Sequence, residues 1–138
     1  MYILNPEVSG QIGEKTLLNT NTHPPIVERL HFIFYGWLGD DLIECFPCFL
    51  VSEKLKILLQ KTNFSGFLIK DCETELSEEI LIMQPQIVLP KFYWLDVGHD
   101  KNSDLFIDES LKLQVTDAAY DLLKRVNLKY CDIQSIEV

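Results

Sequence analysis

From Arg29 to Tyr35 the chain reads Arg-Leu-His-Phe-Ile-Phe-Tyr, which puts Leu30, Phe32 and Phe34 on one side of an extended segment and His31, Ile33 and Tyr35 on the other. That period of two predicts a strand. A loop, Gly36-Trp37-Leu38-Gly39-Asp40-Asp41, interrupts it, and the apolar run from Cys45 to Val51 predicts a return to extended structure. At Ser52 the period changes. Ser52 offers an N-cap oxygen, Glu53 suits the positive end of a helix dipole, and Leu55, Leu58 and Leu59 form an i, i+3, i+4 stripe.

The same grammar returns near the C-terminus, where Leu111, Leu113 and Val115 alternate and Thr116 precedes a helical stripe of Ala119, Leu122, Leu123 and Val126. Val51, Ser52, Glu53, Leu58, Leu59, Asn63 and Phe64 match Val115, Thr116, Asp117, Leu122, Leu123, Asn127 and Leu128, every pair separated by 64 residues. In both copies Asn stands where a helix would leave through a left-handed residue, and short strands are expected at Gly66 to Lys70 and Tyr130 to Val138. Common strand–cap–helix–strand grammar arising twice and a true duplication both account for the match. Either way, two equivalent strand–helix units in one sheet are expected.

Residues 5 to 25 carry Pro6, Gly10, Gly13, Pro24 and Pro25 among Asn, Thr and Ser, a composition that reads as a long surface loop. Ser77-Glu78-Glu79 opens a short helix through Met83 that Pro85 ends, Phe92 to Val97 is an aromatic strand, and Gly98 to Asp104 is a polar loop. The chain therefore divides into a strand plus long loop (1–25), a first strand–helix–strand unit (26–76), a connecting helix, aromatic strand and polar loop (77–110), and a second unit (111–138). Together these predict a single α+β domain with a mixed or largely antiparallel sheet of about five to seven strands and two main helices packed on it.

The 138 residues, 47% hydrophobic and 24% charged, are enough for one compact domain and too few for two. Net charge sharpens the picture. At −9 the chain repels phosphate backbones and anionic lipid headgroups, which argues against nucleic-acid and membrane partners and in favour of a basic protein. The first residues lack the basic start and apolar stretch of a secretory signal, so a cytoplasmic location is expected.

Cys45-Phe46-Pro47-Cys48 invites a redox or zinc reading, but Phe49, Leu50 and Val51 separate it from the helix cap, and residues three apart on a regular strand face opposite sides. Buried, reduced, structural cysteines are expected, Cys72 and Cys131 included, and no cofactor. Of the three histidines, His23, His31 and His99, none stands at i, i+4 from another ligand. His31 reads as a partly buried, hydrogen-bonded side chain. His99 sits with Asp96, Asp100 and Asp104 in a grouping open to two readings, a solvated acidic loop or a cation site. Trp37, between two glycines and followed by Asp40, Asp41 and Glu44, is likewise open: an aromatic anchor with an acidic rim for a basic partner, or a ring folded back into the core.

As a set, Asn5 to Gly10, Gly36 to Leu42, Phe46 to Glu53 and Leu122 to Leu128 resemble a family of small bacterial proteins, related in pattern to immunity proteins of polymorphic toxin systems that carry domain of unknown function 1629. The resemblance touches nearly the whole chain through turns, strands and caps, without a catalytic signature. It implies a bacterial cytoplasmic protein that neutralises a cognate toxin by binding it, and it assigns no functional residue. The expected function is thus a non-enzymatic protein-binding module with Trp37, Asp40, Asp41 and Glu44 as contacts. The alternative is a metal- or ligand-binding domain or enzyme built on Asp96, His99, Asp100 and Asp104. A weak homodimer through a sheet edge is compatible with either.

Overall fold

The computed structural model describes residues 1–22 and 26–136; His23, Pro24 and Pro25, and the last two residues of the expected C-terminal strand, lie outside them. The chain is an α+β domain of short strands and three helices. In order these are β1 (Tyr2–Asn5), β2 (Glu7–Val8), β3 (Gly10–Ile12), β4 (Leu17–Asn19), β5 (Ile26–Arg29), β6 (His31–Phe34), β7 (Leu42–Cys45), β8 (Cys48–Ser52), α1 (Glu53–Gln60), β9 (Phe67–Lys70), β10 (Glu73–Leu76), α2 (Glu78–Met83), β11 (Phe92–Val97), β12 (Leu105–Ile107), β13 (Leu113–Val115), α3 (Asp117–Leu123) and β14 (Asp132–Ser135). Pairing is largely antiparallel, with β2–β7 and β6–β10 parallel. The strands are spread over four sheets rather than gathered in one: β12-β13-β1-β14, β10-β6-β3, β2-β7-β8-β11-β9 and the pair β4-β5.

Ser52, Ser77 and Thr116 cap α1, α2 and α3, each side-chain oxygen accepting from the backbone N–H three residues on. Both long helices end in a tightened turn at Lys61 and Lys124, with right-handed backbone. Asn63 and Asn127 therefore do not provide left-handed exits; Leu111, at φ 63°, is the one non-glycine residue with positive φ among the described residues.

Residues 5 to 25 are not one loop, because two of their glycines serve close packing rather than turns. A Cβ on Gly10 would lie 1.9 Å from the Ile33 carbonyl oxygen, and one on Gly13 would lie 2.1 Å from the His31 ring. The missing side chains let β3 pair with β6 and let the Gly13 N–H reach the His31 carbonyl at 2.7 Å.

The 64-residue match extends into three dimensions. Hairpin β7–β8, helix α1 and strand β9 correspond to hairpin β12–β13, helix α3 and strand β14. Each set is completed by a strand from elsewhere in the chain. β11 lies between β8 and β9, with Tyr93 opposite Val51 and Leu95 opposite Ile69. β1 lies between β13 and β14, with Tyr2 opposite Val115 and Leu4 opposite Ile133. The strand that precedes the first unit thus completes the second unit's sheet, and the strand that precedes the second unit completes the first's. Tyr2 stacks on Tyr120 of α3 with ring centroids 3.9 Å apart, while Lys56, at the matching position of α1, lies 4.0 Å over Tyr93.

One core cluster joins these two sheets and helices through Leu4, Phe49, Val51, Leu55, Leu59, Tyr93, Leu95, Leu113, Val115 and Leu123. A second covers the other face of the first unit's sheet, where Leu50 and Trp94 meet Phe32, Phe34 and Ile80.

Two aspartates fasten the units to one another. The Asp41 carboxylate accepts from the Ser52 hydroxyl at 2.6 Å and from the backbone N–H of Asn127 at 2.8 Å. Asp104 mirrors it, accepting from the Thr116 hydroxyl at 3.1 Å and from the Ser65 N–H at 3.0 Å. Each holds the helix cap of its own unit and the post-helix turn of the other. Asp41 is buried and Asp104 only half-buried, so Asp41→Ala is expected to cost about 3 kcal/mol and Asp104→Ala about 1–2 kcal/mol. Urea unfolding of the two variants measures the difference; equal, negligible losses would remove the fastening role.

Candidate functional site

The Gly36–Asp41 loop folds inward. Trp37 is half-buried, its ring edge-on to Phe92 at 5.9 Å and its Nε1–H donating to the Asp40 carbonyl at 2.9 Å. Asp40 is fully buried: one carboxylate oxygen accepts from the Tyr130 N–H at 2.8 Å and the other has no hydrogen-bond partner among the described residues. Asp41 holds the helix cap described above. Nearby, Glu7 is also buried, accepting from the Ser9 hydroxyl and from the Leu38 N–H with one oxygen and leaving the other unpartnered. Of the four proposed contact residues, only Trp37 and Glu44 keep part of their surface, and Glu44 lies on β7 beside a different feature. The loop's exposed apolar side chain is Leu38.

The acids around His99 are also separated. Asp96 pairs with Lys70 at 2.7 Å, Asp100 accepts from the Asn102 N–H at 2.9 Å, and Asp104 is engaged with Ser65 and Thr116. Among the described residues no group of three or more His, Cys, Asp or Glu side chains is placed to hold a metal ion. His31 is buried on β6 of the β10-β6-β3 sheet, Nδ1 accepting from the Lys15 N–H at 3.3 Å and Nε2 facing Glu75 at 3.4 Å and Glu73 at 3.7 Å.

Cys45 and Cys48 require a correction of geometry. Phe46-Pro47, joined by a cis peptide bond, forms the turn of the β7–β8 hairpin, so the segment from Cys45 to Val51 is not one strand. The two cysteines are directly opposed across the hairpin and share a face. Both are buried, and burial pushes each thiol up to about 12. Such thiols carry almost no thiolate at neutral pH, which suits neither nucleophile nor ligand.

What the structure does bring together is a cleft of about 520 Å³ between the tips of the two equivalent hairpins and the end of β11. Glu44, Phe46, Trp94, the Lys70–Asp96 pair, His99 and Leu111 stand on its walls. Glu44 makes no hydrogen bond or ion pair among the described residues, and burial raises its carboxyl pKa against the opposing field of Lys112. Sequence reasoning grouped Glu44 with the acidic loop before it. The available clue was its place in the alternation of β7, where it follows Leu42 onto the core-facing side.

No family model, no curated protein and no solved structure matches this chain. No helix among the described residues is long and apolar enough to cross a membrane.

Two predictions come from these environments. Burial, the largest influence on Asp40, raises its pKa above the ordinary 3.8, against the lowering effect of the Tyr130 N–H. The native state then binds this proton more tightly than the unfolded chain, so its contribution to stability grows as pH falls through the folded pKa and is complete below 3.8. Asp40→Asn, which keeps an oxygen for Tyr130, is expected to be more stable than wild type at pH 7, with the gap closing as pH falls; a constant gap in pH-dependent urea unfolding contradicts this. Ellman's reagent should find Cys45, Cys48 and Cys131 unreactive in native buffer and all four cysteines reactive in denaturant. Rapid native reaction of the Cys45/Cys48 pair would revive a redox role.

Proposed function

We propose that the chain is a non-enzymatic module that captures a basic protein by direct binding, the mode of action of toxin-neutralising immunity proteins. The observation that supports this reading is the apolar surface of α2 and its exit. Ile80 alone anchors the helix in the core; Leu81, Ile82 and Met83 are 49%, 78% and 78% exposed, and Val88 beyond them is 84% exposed. Consecutive exposed apolar side chains are costly to keep in water and mark surfaces that a partner covers.

Charge narrows the partner. Between Asp71 and Pro90 the chain has five carboxylates and no Lys or Arg. Glu73 is engaged by Lys15 at 2.9 Å, while Glu75, Glu78 and Glu79 are exposed around the apolar side chains. An apolar centre with an acidic rim complements a basic protein carrying its own apolar patch, and a net charge of −9 accelerates their encounter at low salt. The neighbouring strand β10 ends its sheet with Glu73 and Glu75, which disfavours edge-to-edge pairing of two copies. The contacts therefore lie on Ile82, Met83, Val88, Glu78 and Glu79, with Trp37, Asp40 and Asp41 supporting the fold.

The test is paired capture from lysate of the source organism by the wild type and by an Ile82→Glu/Met83→Glu variant, with circular dichroism to verify that both are folded. A basic protein retained by the wild type at low salt, released at high salt and lost by the variant is the expected result. Equal retention by both forms, no basic partner for the wild type, or a concentration-dependent homodimer broken by the variant would overturn the proposal.

A further inference from the structure

The two hairpins allow the chain to be compared with itself. Leu42 opposes Val51 and Glu44 opposes Phe49 in the first; Leu105 opposes Val115 and Ile107 opposes Leu113 in the second. Glu44 and Ile107 are therefore equivalent positions, both core-facing. Ile107 packs against the core as the alternation requires. Glu44 places a half-buried carboxylate at the same point with no hydrogen-bond or ion-pair partner among the described residues.

Both side chains open onto the cleft between the hairpins, with Phe46 from one turn and Leu111 from the other at its rim. Leu111 holds φ at 63°, a left-handed backbone conformation that disfavours leucine. Unfavourable backbone of this kind is concentrated at binding sites. Lys70 and Asp96 neutralise one another at 2.7 Å, and although the field of Lys112 reaches Glu44, no ion pair forms between them. A volume of about 520 Å³ lies within the range of small-ligand sites.

We propose that this cleft binds a small organic cation, a primary amine on an aromatic or alkyl body, whose ammonium pairs with Glu44 and whose apolar part lies against Phe46, Ile107 and Leu111. An ammonium supplies charged donors that Glu44 lacks among the described residues, and a charge-assisted hydrogen bond is stronger than a neutral one. The same chemistry is presented by a lysine side chain of a bound protein; a volume of about 520 Å³ matches a whole small molecule rather than one side chain of a larger partner. The inference is independent of the α2 surface.

The experiment is a titration of the full chain with phenethylamine, followed by amide chemical shifts, alongside phenylacetate as its anionic counterpart and a capped Phe-Lys dipeptide. Phenethylamine is expected to shift signals around Glu44, Val97 and Leu111, phenylacetate to leave them unmoved, and Glu44→Gln to weaken the amine about tenfold or more. Glu44→Ile installs the residue of the equivalent hairpin; it should melt no lower than wild type and bind no amine, which separates loss of the site from loss of the fold. Equal binding of amine and acid, unchanged affinity in Glu44→Gln, or binding of the dipeptide alone would overturn the proposal.

Discussion

The hydrogen bonds of Asp41 and Asp104 are the constraint on which the rest of this structure depends. A helix start leaves backbone N–H groups without partners, and the residue that follows a helix must turn without intrahelical support. Here one carboxylate serves both needs at once, but for different units: Asp41 orients the Ser52 cap of α1 and holds the Asn127 N–H after α3, and Asp104 orients the Thr116 cap of α3 and holds the Ser65 N–H after α1. Neither helix can be docked without placing the turn behind the other. The exchange of β1 and β11 between the two sheets repeats this dependence at the level of backbone pairing, since each sheet has an internal strand supplied from outside its own unit. The cooperative unit is consequently the whole chain.

The equivalence is broken where the surroundings differ. In the first sheet Leu50 and Trp94 face the second core cluster, and their counterparts in the second sheet are Gln114 and Ile3. The matching strand positions Lys70 and Gln134 are polar in both. The first unit therefore needs a cover, which β3, β6, β10 and α2 provide, whereas the second leaves much of its outer face to water. That cover anchors α2 by Ile80 alone, which is how a six-residue helix comes to present its remaining apolar side chains outward.

The parts of the fold legible in the sequence were those set by neighbours along the chain. Caps at Ser52, Ser77 and Thr116, the alternation of β6 and β11, and the 64-residue match all depend on spacing and residue type within a few positions. What depended on distant contacts was not legible. Glycines 10 and 13 look like turn residues until β6 and His31 occupy the space where a Cβ would be. Pro47 looks like a residue within an extended run until the turn it belongs to brings Cys45 opposite Cys48. The strand exchange pairs Tyr2 with Val115, a separation over which local pattern carries no information.

The candidate site shows the same division, because a carboxylate's role is decided by what it meets. In sequence, Asp40, Asp41 and Glu44 form one acidic cluster beside a tryptophan. Folding gives them three different environments. Asp41 has both oxygens occupied, one by an N–H 86 residues away, and is structural. Asp40 keeps one oxygen bonded to Tyr130 and one unpartnered, inside the protein where no partner molecule can reach it. Glu44 has neither oxygen engaged among the described residues and faces the cleft. Partial burial of a carboxylate costs free energy, and the isoleucine at the equivalent position shows that this architecture accommodates an apolar side chain there. Glu44 thus differs from Asp40 and Asp41 in the one respect that matters for binding: its carboxylate meets the cleft rather than the protein's own backbone.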